Sequence, residues 1–301
     1  MTGQQNRGIV LIAVLLAVAI MSVMVVGVTS LTRAGIASEK VEARLLATHF
    51  ALQSGVESGK ALILAKPREQ RVFLDGTPEM IEIGEGLRLE VMIRDAAGLA
   101  DLNRSDPQLI EAILLDSLGA TAARDLAARI LQWRKDAEAQ IQPRQLPAAE
   151  PPPASPDGQG KKQPAPEAPL VFVSVDQLLA IAGPEGAKGL ARELTVFNPT
   201  GRINPLAAPD EVLSAIPGLG PDDLGVVKRA RSARAWQSDQ VLMQVLERLK
   251  AYLAVEDASV FMISVRLRDG PDIIPQSSAE AVVLLTEKGR QPFRTLSVTG
   301  L

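Results

Sequence analysis

From Ile9 to Thr32 the chain carries no Asp, Glu, Lys or Arg, and most positions are Ile, Val, Leu, Ala or Met. A helix rising about 1.5 Å per residue crosses the roughly 30 Å hydrocarbon layer of a bilayer over such a run. Charge returns at Arg33, then at Glu39, Lys40, Glu42 and Arg44, and Val41, Leu45, Leu52, Val56 and Ile63 form a stripe. Their spacing follows 3.6 residues per turn, so the helix is expected to continue, now amphipathic, to about Leu64. Lys66-Pro67 ends it, because proline lacks the N–H a helix needs. Beyond lies a different period. Leu87 to Arg94 alternates apolar and polar and predicts a half-buried strand. Val260 to Arg268 does the same, with Phe261, Ile263, Val265 and Leu267 on one face. Glu280 to Thr286 and Phe293 to Val298 follow, with turns at Gly270-Pro271 and Lys288-Gly289. A long helix laid on a small antiparallel sheet buries both apolar faces at once, which predicts an α+β fold.

Between the first strand and the last three stands a long helical stretch, residues 99–253. Its first half opens on Asp101-Leu102-Asn103 and continues into a helix capped by Asp106, with Pro107 in the first turn. Gly119 separates this helix from another over Ala120 to Lys135. The second half holds Val175 to Ala182, then Phe197 to Asn204, then Ala208 to Gly220. Pro143 to Pro169 has no apolar periodicity and reads as an extended surface loop.

Composition narrows the chemistry. The net charge of the 301 residues is -3, so no global basic field draws in nucleic acid. There is no cysteine and only one histidine, His49, expected to be a packing or surface residue. Thiol chemistry is thereby excluded, and no catalytic constellation is expected. Gly55 to Lys60 is one residue short of a phosphate loop, has Ala61 where Ser or Thr is required, and follows no strand.

Ahead of the apolar run stand only eight residues, with Arg7 charged and Gly8 last. A secretory signal would have a shorter apolar core and a small-x-small cleavage site, which Ser30 to Gly35 does not supply. A plain signal anchor fits the hydrophobicity. A prepilin leader, cut after Gly8 so that Ile9 becomes the first mature residue, also fits; this region resembles the class III signal of type IV pilins and type II secretion pseudopilins. In that family most subunits carry Glu at the fifth mature position, where this chain has Ala13. A carboxylate inside a bilayer costs about 3 kcal/mol unless partnered, and in the family the partner is the amine of a neighbouring subunit. Ala13 therefore suits a subunit with no neighbour above it.

Val212 to Gly220 followed by a helix reads as a helix-hairpin-helix, with Pro217, Gly218 and Gly220 forming the turn. Turn amides of this kind can hold a phosphate, with Lys228, Arg229, Arg231 and Arg234 adding charge. That would make the chain a membrane-anchored DNA receptor. Asp210, Glu211, Asp222 and Asp223 flank the hairpin, however, and it is inserted between strands, so it is expected to close a compact helical unit and to bind no nucleic acid.

In their order, these pieces resemble the K subunit family of type II secretion minor pseudopilins. The marks are Gly8-Ile9 with Ala13, Leu99 to Asn103, Trp133 with Asp136 and Glu138, Val173 to Leu179, Arg202 to Pro205, the Pro217-Gly218 turn, and Pro292 to Ser297. Arg134-Lys135 departs from the family, which tends to place an acid beside the Trp. The resemblance implies a pilin-like fold with a large inserted all-α domain of helix-hairpin-helix or SAM-like units. The expected boundaries are a leader at 1–8, a membrane helix at 9–32, pilin-like parts at 33–98 and 254–301, and the insert at 99–253. It further implies an inner-membrane, single-pass subunit with its N-terminus cytoplasmic and its bulk periplasmic, methylated on Ile9 after cleavage. Its implied partners are prepilin peptidase, the I and J minor pseudopilins, other pseudopilins, the secretin and secreted substrates. It implies calcium in the sheet domain, though no ligands can be placed. A minor pilin of a type IV pilus is the neighbouring alternative.

Overall fold

The computed structural model describes residues 5–84, 86–141, 171–178, 190, 192–270, 273–274, 276–286 and 291–300; the side chains of 5–13, 27–28, 30–37, 138 and 140–141 stand outside that description. The segment from Pro143 to Pro169 and the turns at 271–272 and 287–290 also lie outside the described residues.

Gln5–Ala65 form one helix, α1, of 61 residues and therefore about 90 Å. Its two halves have different surroundings. Val14, Leu16, Met21 and Val25 are exposed, whereas Leu52, Val56 and Ile63 are buried. Among the described residues no helix is long and apolar enough to cross a membrane. The expected amphipathic stripe is corrected at its start: Val41 and Leu45 are more than half exposed. Docking begins only near Thr48, whose hydroxyl accepts a hydrogen bond from Ile274 N at 2.9 Å. His49 is exposed and meets the ring of Phe50 edge-on.

Gly55 and Gly59 are one turn apart on the docked face. A Cβ on Gly55 would stand 2.5 Å from Val265 Cγ1, and one on Gly59 would stand 2.7 Å from Ile263 Cγ2. The glycines that mimic a phosphate loop in the sequence are thus the places where the helix makes room for the sheet side chains Val265 and Ile263.

Beneath α1 lie β1 (Asp75–Ile83), β2 (Leu87–Asp95), β5 (Val260–Asp269), β6 (Ser278–Leu285) and β7 (Phe293–Thr299), in that spatial order and antiparallel throughout. Leu89, Val91, Ile263, Val265, Ala281 and Val283 face the helix and are buried. Each large apolar side chain buried this way contributes about 1.5–3 kcal/mol. Periodicity did not predict β1. It is an edge strand with Pro78 and a register shift between Asp75 and Pro78, and only its second half alternates, with half-buried Glu79, Ile81 and Ile83 between exposed Met80 and Glu82.

The insert leaves at the end of β2. A short turn, Ala96–Gly98, leads to β3 (Ala100–Asp101), which pairs in parallel with β4 (Leu194–Thr195). The short helix α2 (Arg68–Arg71) follows α1 directly. Helices α3 (Pro107–Leu118) and α4 (Ala120–Ile141) pack on one another, as do α6 (Pro221–Ala233) and α7 (Gln240–Arg248), which follow the short α5 (Asp210–Ser214). Asp106 caps α3 as expected, its carboxylate accepting from Gln108 N at 2.8 Å, and Gly119 ends it at φ +76°. Leu109, Ile113, Ile130, Phe172, Leu213 and Val227 belong to a core separate from the one under α1. Because Gly55 faces Leu89 and Gly59 faces Val91, α1 climbs toward the end of β2 from which the insert emerges. The insert therefore sits at the far end of the molecule from the exposed half of α1.

Candidate functional site

The sequence marks spread over 99–205 come together where the sheet hands the chain to the insert. Asp95 ends β2 fully buried; its Oδ1 accepts from Ala97 N at 3.0 Å and its Oδ2 from Asn204 Nδ2 at 2.9 Å. Asn204 also donates to Val72 O at 2.9 Å, and its Oδ1 accepts from Leu206 N at 3.0 Å. One buried amide thus ties the segment after α1, the end of β2 and the insert.

A second buried knot stands beside it. Asp101 Oδ1 accepts from Asn103 N (2.8 Å) and Arg104 N (3.0 Å), and Oδ2 accepts from Asn198 N (2.9 Å). Asn198 donates its amide to Leu99 O and Arg202 O, and its Oδ1 accepts from Gly201 N. Asn103 binds Val171 and Phe172 through their backbone, and the Phe172 ring lies 5.8 Å from that of Trp133. Arg134, beside that Trp, donates to three carbonyls of the 101–105 turn. No periodicity signalled these contacts. The Asp-x-Asn and Asn-Pro-x-Gly strings are a turn-forming signal that could have, since such side chains bond the backbone two residues on.

Burial pushes the Asp95 carboxyl up to about 6, with the hydrogen bonds from Asn204 and Ala97 N opposing it; burial also raises Asp101. A carboxyl held above its unfolded value of 3.8 binds its proton more tightly in the folded state. That contribution to stability is complete below pH 3.8 and is lost as the pH rises through about 6. Asp95 alone is expected to cost about 1–1.5 kcal/mol between pH 5 and 7.5, roughly half of its full effect. Urea unfolding of the wild type from pH 5 to 7.5 reads this slope, and Asp95→Ala, although less stable, flattens it. An equal slope in both chains would refute the assignment.

The hairpin joins α5 to α6. Pro217 is half-buried in its turn and Gly218 adopts φ +82°, a left-handed conformation that favours glycine. The amide of Gly220 does not face solvent empty-handed: it donates to Asp223 Oδ2 at 3.0 Å. That hydrogen bond, then the Arg248 guanidinium 2.5 Å away, holds the Asp223 carboxyl below its ordinary range. A carboxylate therefore stands at the turn amide that a phosphate would seek. Lys228 is paired with Asp210 at 2.7 Å, and Arg231 is turned onto Pro205 O and Ala208 O.

Gly8, Ile9 and Ala13 lie on the backbone of α1, and their side chains are outside the described residues. The structure thus brings Pro217, Gly218 and Gly220 together and leaves these three at the opposite end of the molecule. For calcium, the sheet offers Glu90, held by Arg268 and 4.0 Å from Arg266, and Glu280, near Ser264. Among the described residues no group of three His, Asp or Glu side chains could hold a metal ion.

No family model matches the sequence, and no curated protein matches it either. Among solved structures, a chain of the crystal structure of the GspK-GspI-GspJ complex from the enterotoxigenic Escherichia coli type 2 secretion system is similar. The TM-score is 0.51 at 16% identity, over 85% of this chain and 97% of that one. Together with the long helix on its antiparallel sheet, that likeness makes this a pilin-like α+β fold of the kind found in a pseudopilin complex.

Proposed function

We propose that the chain is a minor pseudopilin of type II secretion, anchored in the inner membrane by residues 9–32 and working at the tip of the pseudopilus with I and J minor pseudopilins. The observation that carries this reading is the placement of the insert. It crowns the end of the molecule remote from the exposed apolar half of α1, where it would obstruct a subunit stacked above. Ala13 agrees with that place, since a subunit without a neighbour above has no amine for a carboxylate to meet. The exposed Leu15, Leu16, Met21 and Val25 favour lipid or a neighbouring helix around that half of α1.

The reading is tested by intact-mass measurement of the chain extracted from cells with a working prepilin peptidase. The expected mass begins at Ile9 and carries one methyl group on its amine; Gly8→Glu leaves the leader in place. A wild-type mass that includes Met1 to Gly8 would overturn it.

The helix-hairpin-helix geometry supports a second reading, a DNA receptor, and Asp223 argues against it. Fluorescence anisotropy with duplex DNA at physiological salt is expected to give a Kd no tighter than about 10⁻⁵ M. Tight binding lost on Lys228→Ala and Arg229→Ala would favour the receptor instead.

A further inference from the structure

In the 101–105 turn the amides of Asn103 and Arg104 donate to the Asp101 carboxylate, while Ser105 N donates to Asp101 O at 3.0 Å. Three carbonyls of the turn, that of Asp101 included, converge on one guanidinium. Arg134 Nε donates to Leu102 O at 2.7 Å, Nη1 to Ser105 O at 2.8 Å, and Nη2 to Asp101 O at 3.1 Å. Three hard oxygen donors on one turn make the kind of cradle that suits a divalent cation. Here the cradle is filled from α4 by a side chain that is always charged and whose planar fork matches diverging acceptors.

The cradle also closes the core of the insert. Ser105 Oγ accepts from Asp101 N at 2.7 Å and donates to Gly201 O at 2.5 Å, and Leu102 is fully buried. If the carbonyls lost their cation, the turn that carries these contacts would lose its outer half.

We propose that Arg134 is the built-in cation of the 101–105 turn, standing where a bound divalent ion would otherwise neutralise its carbonyls, so that the insert folds independently of calcium. The Asp136 carboxylate next along α4 accepts from Gln132 Nε2 at 2.8 Å rather than joining the cradle.

The test uses the full-length chain in mild detergent, with melting followed by circular dichroism in calcium and in EDTA. The wild type is expected to melt at the same temperature in both. Arg134→Met, which keeps the length of the stem and removes the charge, is expected to melt about 5–10 °C lower. Arg134→Lys restores a charge without the fork and should recover roughly half of that loss. The proposal is overturned if the wild type loses stability in EDTA, or if Arg134→Met melts like the wild type. It is equally overturned if Arg134→Met and Arg134→Lys fall by the same amount, because packing of the stem and not its charge would then hold the turn.

Discussion

Valine at both Gly55 and Gly59 is expected to lift α1 off the sheet and leave the chain unable to hold its pilin-like half. The Cβ of each new side chain would meet Val265 and Ile263 at 2.5 and 2.7 Å, well inside van der Waals contact. Their Cγ atoms would need still more room. Overpacking of one such site costs about 1–3 kcal/mol, and two on one face force a shift of the whole helix. The sum approaches the entire stability of a domain, about 5–15 kcal/mol. Gly225 is the control: it lies in α6 with nothing within 4 Å of an added Cβ. Gly225→Ala is expected to stabilise by about 0.5–1 kcal/mol through helix propensity. Protease resistance of the 48–65 stretch, together with urea unfolding, separates the cases. Normal resistance in the double valine chain would show that α1 and the sheet are not as close as the structure has them.

Asp101→Ala is expected to be the most damaging single change in the insert, at about 3–5 kcal/mol. It removes the acceptor of three amides, Asn103 N, Arg104 N and Asn198 N, in a residue with no exposed surface. Each buried donor left without a partner costs about 1–3 kcal/mol, and water entering the gap recovers part of the total. Asp101→Asn keeps one acceptor oxygen and is expected to cost about half as much. Amide exchange at residues 103, 104 and 198 should accelerate together, because they share one carboxylate. Independent exchange at the three would mean that Asp101 does not join the turn to the segment after β4.

The features legible in the sequence were those with a period. Leu52, Val56 and Ile63 give the docked face of α1, and Phe261, Ile263, Val265 and Leu267 give the inner face of β5. Of the contacts made by single residues, the Asp106 cap of α3 was legible and most others were not. Val41 and Leu45 fit the same stripe but stand exposed, because periodicity reports which way a residue faces and not whether anything lies opposite. Gly55 and Gly59 resembled a phosphate loop because glycine records a need for space without saying what fills it. Asp95, Asp101, Asn198 and Asn204 are buried polar groups whose partners are remote in the chain, so their pairing exists only once the fold has formed. The hairpin turn was readable from Pro217, Gly218 and Gly220, while the use of its amide by Asp223 was not.

β2 and β5 are neighbours, with Asp95 opposite Phe261, although the whole insert separates them in sequence. That adjacency imposes an order on folding. Until the insert collapses, β2 has only β1 for company, and a two-stranded ribbon is marginal by itself and cannot cover the docked face of α1. Closing a long loop adds little free energy, since the cost grows only with the logarithm of length, but the search for closure is slow. A folded insert shortens that search by delivering the last residue of β2 and the first of β5 side by side. The helical half is thus the assembly jig for the sheet. During synthesis, β2 presents an open strand edge for as long as β5 to β7 have not yet emerged, and this is the interval in which the nascent chain is most open to pairing with the wrong partner.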